Sequence, residues 1–203
     1  MGSYEKSAKN FYEQALRYLQ GNQIASSYER GVPYLRKAAD LGHAKARYNL
    51  GICLHQGTGI EQSYEEAYRY FELAASQGHP RAFYMLGCYF AFGFFFPPSE
   101  EHAAHYFQLA ADAGIADAQY DLGVLFLFGK GTMKSEEEAI RYFRLAAEQG
   151  NADAQYNLGI CYYQGLGIAV SHEEAIRYLE LAMRQKHSKA AEALEVVMMA
   201  AQR

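Results

Sequence analysis

The chain has 203 residues, half of them hydrophobic and 21% charged, a balance that supports a buried core and excludes an intrinsically disordered chain. Its 19 Lys and Arg against 23 Asp and Glu leave a net charge of −4, which argues against a nucleic-acid partner held through phosphates. No apolar run approaches the roughly 20 residues that cross a bilayer, so no membrane span is expected, and three cysteines make no disulfide framework.

Residues 1–7 show no basic stretch followed by an apolar one and read as an N-terminal extension or a cloning remnant; taken as it stands, the chain is expected in the cytoplasm. From residue 8 onward the sequence repeats itself. Leu-Gly recurs at Leu50-Gly51, Leu86-Gly87, Leu122-Gly123 and Leu158-Gly159, always 36 residues apart, and Tyr34, Tyr70, Tyr106, Tyr142 and Tyr178 keep the same step. Segments 116–151 and 152–187 align without a gap and share 19 of 36 residues. The copies are 8–43, 44–79, 80–115, 116–151 and 152–187, and 188–203 matches only the first half of a repeat.

The first copy is the weakest, with Ala15-Leu16 where later copies have pairs such as Gly51-Ile52 and Gly123-Val124. In the second, Tyr48, Leu50, Gly51 and Leu54 recur at near-helical spacing and predict a helix over 44–56. Gly57-Thr58-Gly59 then turns the chain, and Ser63-x-x-Glu66 opens a second helix as a capping box, with Glu65 and Arg69 paired at i,i+4. That helix ends in Ala-Ala with Gly78 just beyond it, and His79-Pro80 starts the next copy. The fourth and fifth copies repeat the scheme with Gly129-x-Gly131, Ser135-x-x-Glu138 and Glu137/Arg141, then Gly165-x-Gly167, Ser171-x-x-Glu174 and Glu173/Arg177. The third departs from it: Gly93 is followed by Phe94, Phe95, Phe96, Pro97 and Pro98. Three adjacent rings on a loop either fold back on the protein or form a docking or self-association patch; membrane insertion would want a basic flank that is missing.

A glycine inside a helix costs roughly 1 kcal/mol against alanine and is tolerated where another backbone comes close. Gly51, Gly87, Gly123 and Gly159 are such positions, with Ala67, Ala103, Ala139 and Ala175 as small counterparts on the second helices. Rings such as Tyr70-Phe71 and Tyr142-Phe143 fill the space between repeats and absorb most of the 18 Tyr and 12 Phe. The expected fold is all-α: a right-handed α/α solenoid of five 36-residue helix-turn-helix repeats in one domain, 8–203, closed by a capping helix within 188–203.

The pattern Ala-x-Ala-x-Tyr-x-Leu-Gly followed by Gly-x-Gly, then by Ala-Ala-x-x-Gly at the end of the second helix, is most complete over 116–131 and 139–150. It resembles the Sel-one-like repeat family, relatives of the tetratricopeptide repeats, over residues 8–203. The resemblance implies a noncatalytic scaffold or adaptor that holds a protein or peptide on a concave surface lined by the first helices. The residues expected there are Lys45, Asn49, Ile52 and Gln56; Arg81, Met85, Cys88 and Phe92; Asp117, Asp121, Val124 and Phe128; and Asp153, Asn157, Ile160 and Gln164. Their apolar middle and the acids of the last two rows point to a partner with apolar anchors and some positive charge. A regulatory module of an enzyme complex is the alternative, and RNA reading by helical repeats is opposed by Asp117, Asp121 and Asp153.

Catalytic chemistry has no foothold. No P-loop, G-x-S-x-G, H-E-x-x-H or dinucleotide fingerprint occurs, and the Gly-x-Gly segments precede Ser-capped helices as turns. His102 and His105 are spaced as metal ligands can be but lack a third donor nearby in sequence, and Cys53, Cys88 and Cys161 read as structural thiols. Neither a cofactor nor a metal is expected, and the chain is read as not an enzyme.

Overall fold

The computed structural model describes residues 3–21 and 25–202. Among these there are eleven helices and no strand: α1 (Ser3–Gly21), α2 (Ala25–Asp40), α3 (Ala44–Gln56), α4 (Tyr64–Ala75), α5 (Pro80–Phe92), α6 (Glu100–Asp112), α7 (Ala116–Phe128), α8 (Glu136–Glu148), α9 (Ala152–Gln164), α10 (His172–Arg184) and α11 (Ala190–Ala201). The fold is the all-α repeat array that the 36-residue period predicts, with α1 packed on α2, α3 on α4, α7 on α8 and α9 on α10. The chain divides into two compact units, Met1–Pro98 with α1–α5 and Ser99–Arg203 with α6–α11, so the third repeat contributes one helix to each.

Local chemistry starts and stops these helices. The first helix of each later repeat ends at a left-handed glycine, Gly57, Gly93, Gly129 or Gly165, whose N–H returns to the carbonyl four residues back. Ser63, Ser99, Ser135 and Ser171 each accept a bond at the side-chain oxygen from the N–H three residues on, which begins the second helix. Only this half of the predicted capping box forms. The N–H groups of Ser63, Ser135 and Ser171 donate instead to Leu54, Phe126 and Tyr162 on the preceding first helix, tying the turn down. Glu138 and Glu174, freed from the box, reach Arg141 and Arg177 at i,i+3 (2.8 and 3.1 Å), displacing the expected i,i+4 partners; Glu65–Arg69 forms as predicted at 2.6 Å. All three pairs are exposed and stabilise little.

Close helix contact is what the glycines permit. A Cβ on Gly51, Gly123 or Gly159 would lie 2.6, 2.7 or 2.8 Å from Phe71, Phe143 or Leu179 of the paired second helix. The first repeat exchanges the two small positions, with Ala15 fully buried on α1 and Gly31 on α2. In the second unit, Phe143, Ala139, Ala146, Leu158, Cys161 and Tyr178 belong to one core cluster, and Leu194 and Val197 of α11 close on Ala175 and Leu179.

The second glycine of each turn serves a different contact. A Cβ on Gly59 would meet the backbone of Tyr28 and Glu29 at 2.5 and 2.7 Å, and one on Gly167 that of Glu136 at 2.6 Å; Gly131 lies likewise on Glu100. Each turn thereby rests on the start of the previous repeat's second helix. Phe95 occupies this position in the third repeat and cannot make that approach. Rings fill the space instead: Phe94 packs on Tyr64, Tyr89 and His55 at 5.3, 5.3 and 4.9 Å, and Phe96 on Tyr68 and Phe90 at 4.9 and 5.7 Å. Phe94 and Phe96 are thus half-buried, while Phe95 is 40% exposed.

Candidate partner-binding surface

The first helices present the sixteen residues singled out from the sequence in graded fashion. Lys45, Gln56, Arg81 and Phe92 in the first unit, and Asp117, Phe128, Asp153 and Gln164 in the second, are exposed. Asn49, Ile52, Met85, Asp121, Val124, Asn157 and Ile160 are half-buried between them. Cys88 departs from the row: at 8% exposure it offers a partner almost no area, unlike Ile52, Val124 and Ile160 in the same register.

A row of half-buried tyrosines lies beside these residues on the first helices. Tyr12, Tyr48, Tyr120 and Tyr156 are half-buried, and each of the first three is bonded to the next first helix: Asn49 donates to the Tyr12 hydroxyl at 3.2 Å, Arg81 to that of Tyr48, and Asn157 is bonded to that of Tyr120. Imidazoles cover three of the rings, with His43 on Tyr12, His79 on Tyr48 and His187 on Tyr156 at 4.4–4.6 Å between centroids. The signal was present in the sequence, since residues 43, 79 and 187 share one repeat position.

The two units differ in electrostatic sign along this surface. α3 and α5 carry Lys45, Arg47 and Arg81 and no acid, whereas α7 and α9 carry Asp117, Asp121 and Asp153 and no Lys or Arg. Titrating groups register the difference. Burial, then Lys45, holds His43 below the ordinary imidazole range; burial, then Lys45 and Arg81, does the same for His79. Burial, then the Asp153 and Asp121 carboxylates, pushes the Tyr120 phenol up.

A 570 Å³ cavity opens between the C-terminal end of α7 and α9 from Tyr156 onward. It brings together four of the expected residues, Phe128, Asn157, Ile160 and Gln164, with Leu127, Tyr156 and Leu166 from the surrounding repeats. Phe128 is 64% exposed at its edge. Cys161 lies at the cavity with its thiol pushed up by burial to about 11, so it lines without reacting. Ile160 and Gln164 also border a 340 Å³ cavity shared with Lys189 and Val196 near α11. In the first unit, Lys45 borders a 630 Å³ cavity between α1 and α3, beside Tyr12 and His43. Among the described residues no group of three or more His, Cys, Asp and Glu is placed to hold a metal, and His102 and His105 are exposed on α6. No helix among them is long and apolar enough to cross a membrane.

The model of the Sel1 repeat matches residues 12–43, 44–79, 80–115, 116–151 and 152–187. The chain belongs to the Sel1 repeat family. A Sel1 repeat protein from Oxalobacter formigenes is similar at 27% identity over 94% of this chain and 76% of its own, with a TM-score of 0.84. The c5321 protein, a protective antigen present in uropathogenic Escherichia coli strains and displaying an SLR fold, matches 96% of the chain at 25% identity and a TM-score of 0.89, and the chain spans 42% of its length. Immunity protein Pa5087 from Pseudomonas aeruginosa matches 91% of this chain and 68% of its own at 25% identity, with a TM-score of 0.57. The search of curated proteins found no match. Sel1 repeats commonly serve as protein-interaction modules.

Proposed function

We propose that this Sel1 repeat chain is a noncatalytic scaffold that holds a protein or peptide partner on its first-helix surfaces. The observation that carries the reading is the α7–α9 cavity, where Phe128 stands 64% exposed beside Ile160 with the amides of Asn157 and Gln164 in reach. A large exposed ring next to an apolar hollow ringed by hydrogen-bonding groups is the anatomy of a protein-binding hot spot. Any contact made by the third-repeat turn falls to Phe92 and Phe95, the rings left exposed there.

Affinity capture with mass spectrometry tests this. Wild type is expected to recover a defined partner set that Phe128→Ala and Asn157→Lys lose while circular dichroism stays native. An enzyme subunit in that set would make the chain a regulatory module. Recovery of the same partners by both variants would move binding to another surface and overturn the assignment.

A further inference from the structure

The helices that wall the second-unit cavity divide along their length. Asp117, Asp121 and Asp153 lie in the N-terminal halves of α7 and α9, and the cavity is lined by the C-terminal end of α7 at Leu127 and Phe128 and by α9 from Tyr156 to Gln164, its apolar residues Phe128 and Ile160 lying beyond the acids. Neither helix supplies a cation of its own. Asp117 accepts from the Asn151 amide at 3.0 Å, Asp153 meets the His187 imidazole at 3.2 Å, and Lys134 at the cavity edge is paired with Glu136 at 3.2 Å. The same offset separates acid from apolar residue on both helices. Asp121 precedes Phe128, and Asp153 precedes Ile160, by seven residues, two turns along one stripe and about 10 Å of rise.

We infer, resting on the scaffold reading above, that this face takes an extended segment of a partner with one large apolar side chain in the cavity and a Lys or Arg three residues away against Asp153 and Asp121. Polyproline II conformation puts residues i and i+3 on one edge about 9 Å apart, close to the offset of the helices. A β-strand repeats a face at about 7 and 13 Å and matches it less well. The sign of the face selects the flanking charge: the charged residues that α7 and α9 contribute are all carboxylates, so the face repels an acidic peptide and attracts a basic one. Side-chain amides of Asn157 and Gln164 border the cavity and suit a peptide backbone that, being extended, leaves its own N–H and C=O groups unpaired.

Fluorescein-labelled dodecapeptides on a Gly-Ser background, titrated with the full chain and read by anisotropy, test the spacing and the charge together. One carries Arg-x-x-Phe, the second Glu-x-x-Phe, and the third Arg and Phe seven positions apart, the spacing a helical partner would need. Arg-x-x-Phe is expected to bind about tenfold or more tightly than either of the others, with the margin over Glu-x-x-Phe shrinking as salt screens the carboxylates. Asp153→Lys should reverse the preference for Arg over Glu, and Phe128→Ala should weaken all three about fivefold or more; both positions are exposed, so the fold stays intact. Equal binding of the Arg and Glu peptides, preference for the longer spacing, or no anisotropy change at about 1 mM chain overturns the inference. Partners captured through Phe128 without any such peptide preference would sink this inference alone. Phe128-dependent peptide binding with no partner recovered would leave it standing and remove the scaffold reading.

Discussion

Gly150 and Gly167 make a matched pair. Both sit in the left-handed region, at φ of 89° and 64°, so alanine at either costs about 1–2 kcal/mol for the backbone alone. Their surroundings differ. A Cβ at Gly150 meets nothing within 4 Å, whereas one at Gly167 lies 2.6 Å from the carbonyl carbon and oxygen of Glu136 at the start of α8. Backbone at a helix start cannot swing aside as a side-chain tip does, so the turn before α10 must lift off α8, an overpacking cost of about 1–3 kcal/mol. Gly167→Ala should therefore be the more damaging by about 1–3 kcal/mol, which for a chain of this size is roughly 2–12 °C in thermal midpoint. Urea titration of both variants, followed by far-ultraviolet circular dichroism and by tyrosine fluorescence, measures the gap at one temperature. Equal shifts would refute the claim that this turn is seated on the previous repeat by the second glycine.

Deleting 188–203 removes Leu194 and Val197 from the core and bares Leu179, so stability should fall by about 3–6 kcal/mol; an unchanged midpoint in the truncated protein would contradict it. Phe94→Ser should lower the midpoint by several degrees because its ring packs on Tyr89, Tyr64 and His55, whereas Phe95→Ser should shift it little; melting curves of the two variants separate a packed turn from an open one. Burial holds His43, His55 and His79 below the ordinary imidazole range, so the unfolded chain binds more protons than the folded one once pH drops beneath about 6.5. Their contribution to stability is complete above that pH and lost as pH falls toward their folded values. All three lie in Met1–Pro98, so hydrogen-exchange protection factors there, corrected for the intrinsic rate, should fall at pH about 5, and unaltered protection would refute it.

Periodicity made the helices and their pairing legible, because each repeat must bury the same face against the same neighbours. Gly51 against Phe71 shows why: the sequence records the missing side chain, and the structure supplies the ring that needs the room. Bonds between repeats were harder to read. Gln119 donates to Ala111 and accepts from Gln149, and Gln155 does the same with Ala147 and Gln185, at positions that recur 36 residues apart but look like ordinary surface glutamines until the next repeat packs on them. The hydroxyl partners of Tyr48 and Tyr120 were hidden for a related reason. An aromatic residue at helical spacing signals burial, yet its hydroxyl end reaches the surface and takes a partner there, and only packing decides how far.

The register that explains the helix pairs also bears on α11. Glu195 stands where Gly51, Gly123 and Gly159 stand in complete repeats, and Met198 stands where Tyr162 stacks on Tyr178. A helix packed on α11 as α10 packs on α9 would drive a residue like Leu179 to within about 3 Å of the Glu195 Cβ and bury the carboxylate without a partner, which costs several kcal/mol. The first repeat meets the same demand by exchange, with Ala15 in the first-helix position and Gly31, close to Leu19, in the second, so the pair keeps one small residue on each side. No such exchange rescues position 195, because a side chain of four heavy atoms beyond Cβ needs the whole gap. Glu195 is exposed, and Leu194 and Val197 bury only the face turned to α10 and α9. The acid in the pairing position is thus the one feature of α11 that opposes a further helix packed in the register of the repeats, whereas Val196, Met198 and Met199 leave its outer side more apolar than a polar terminal face would be.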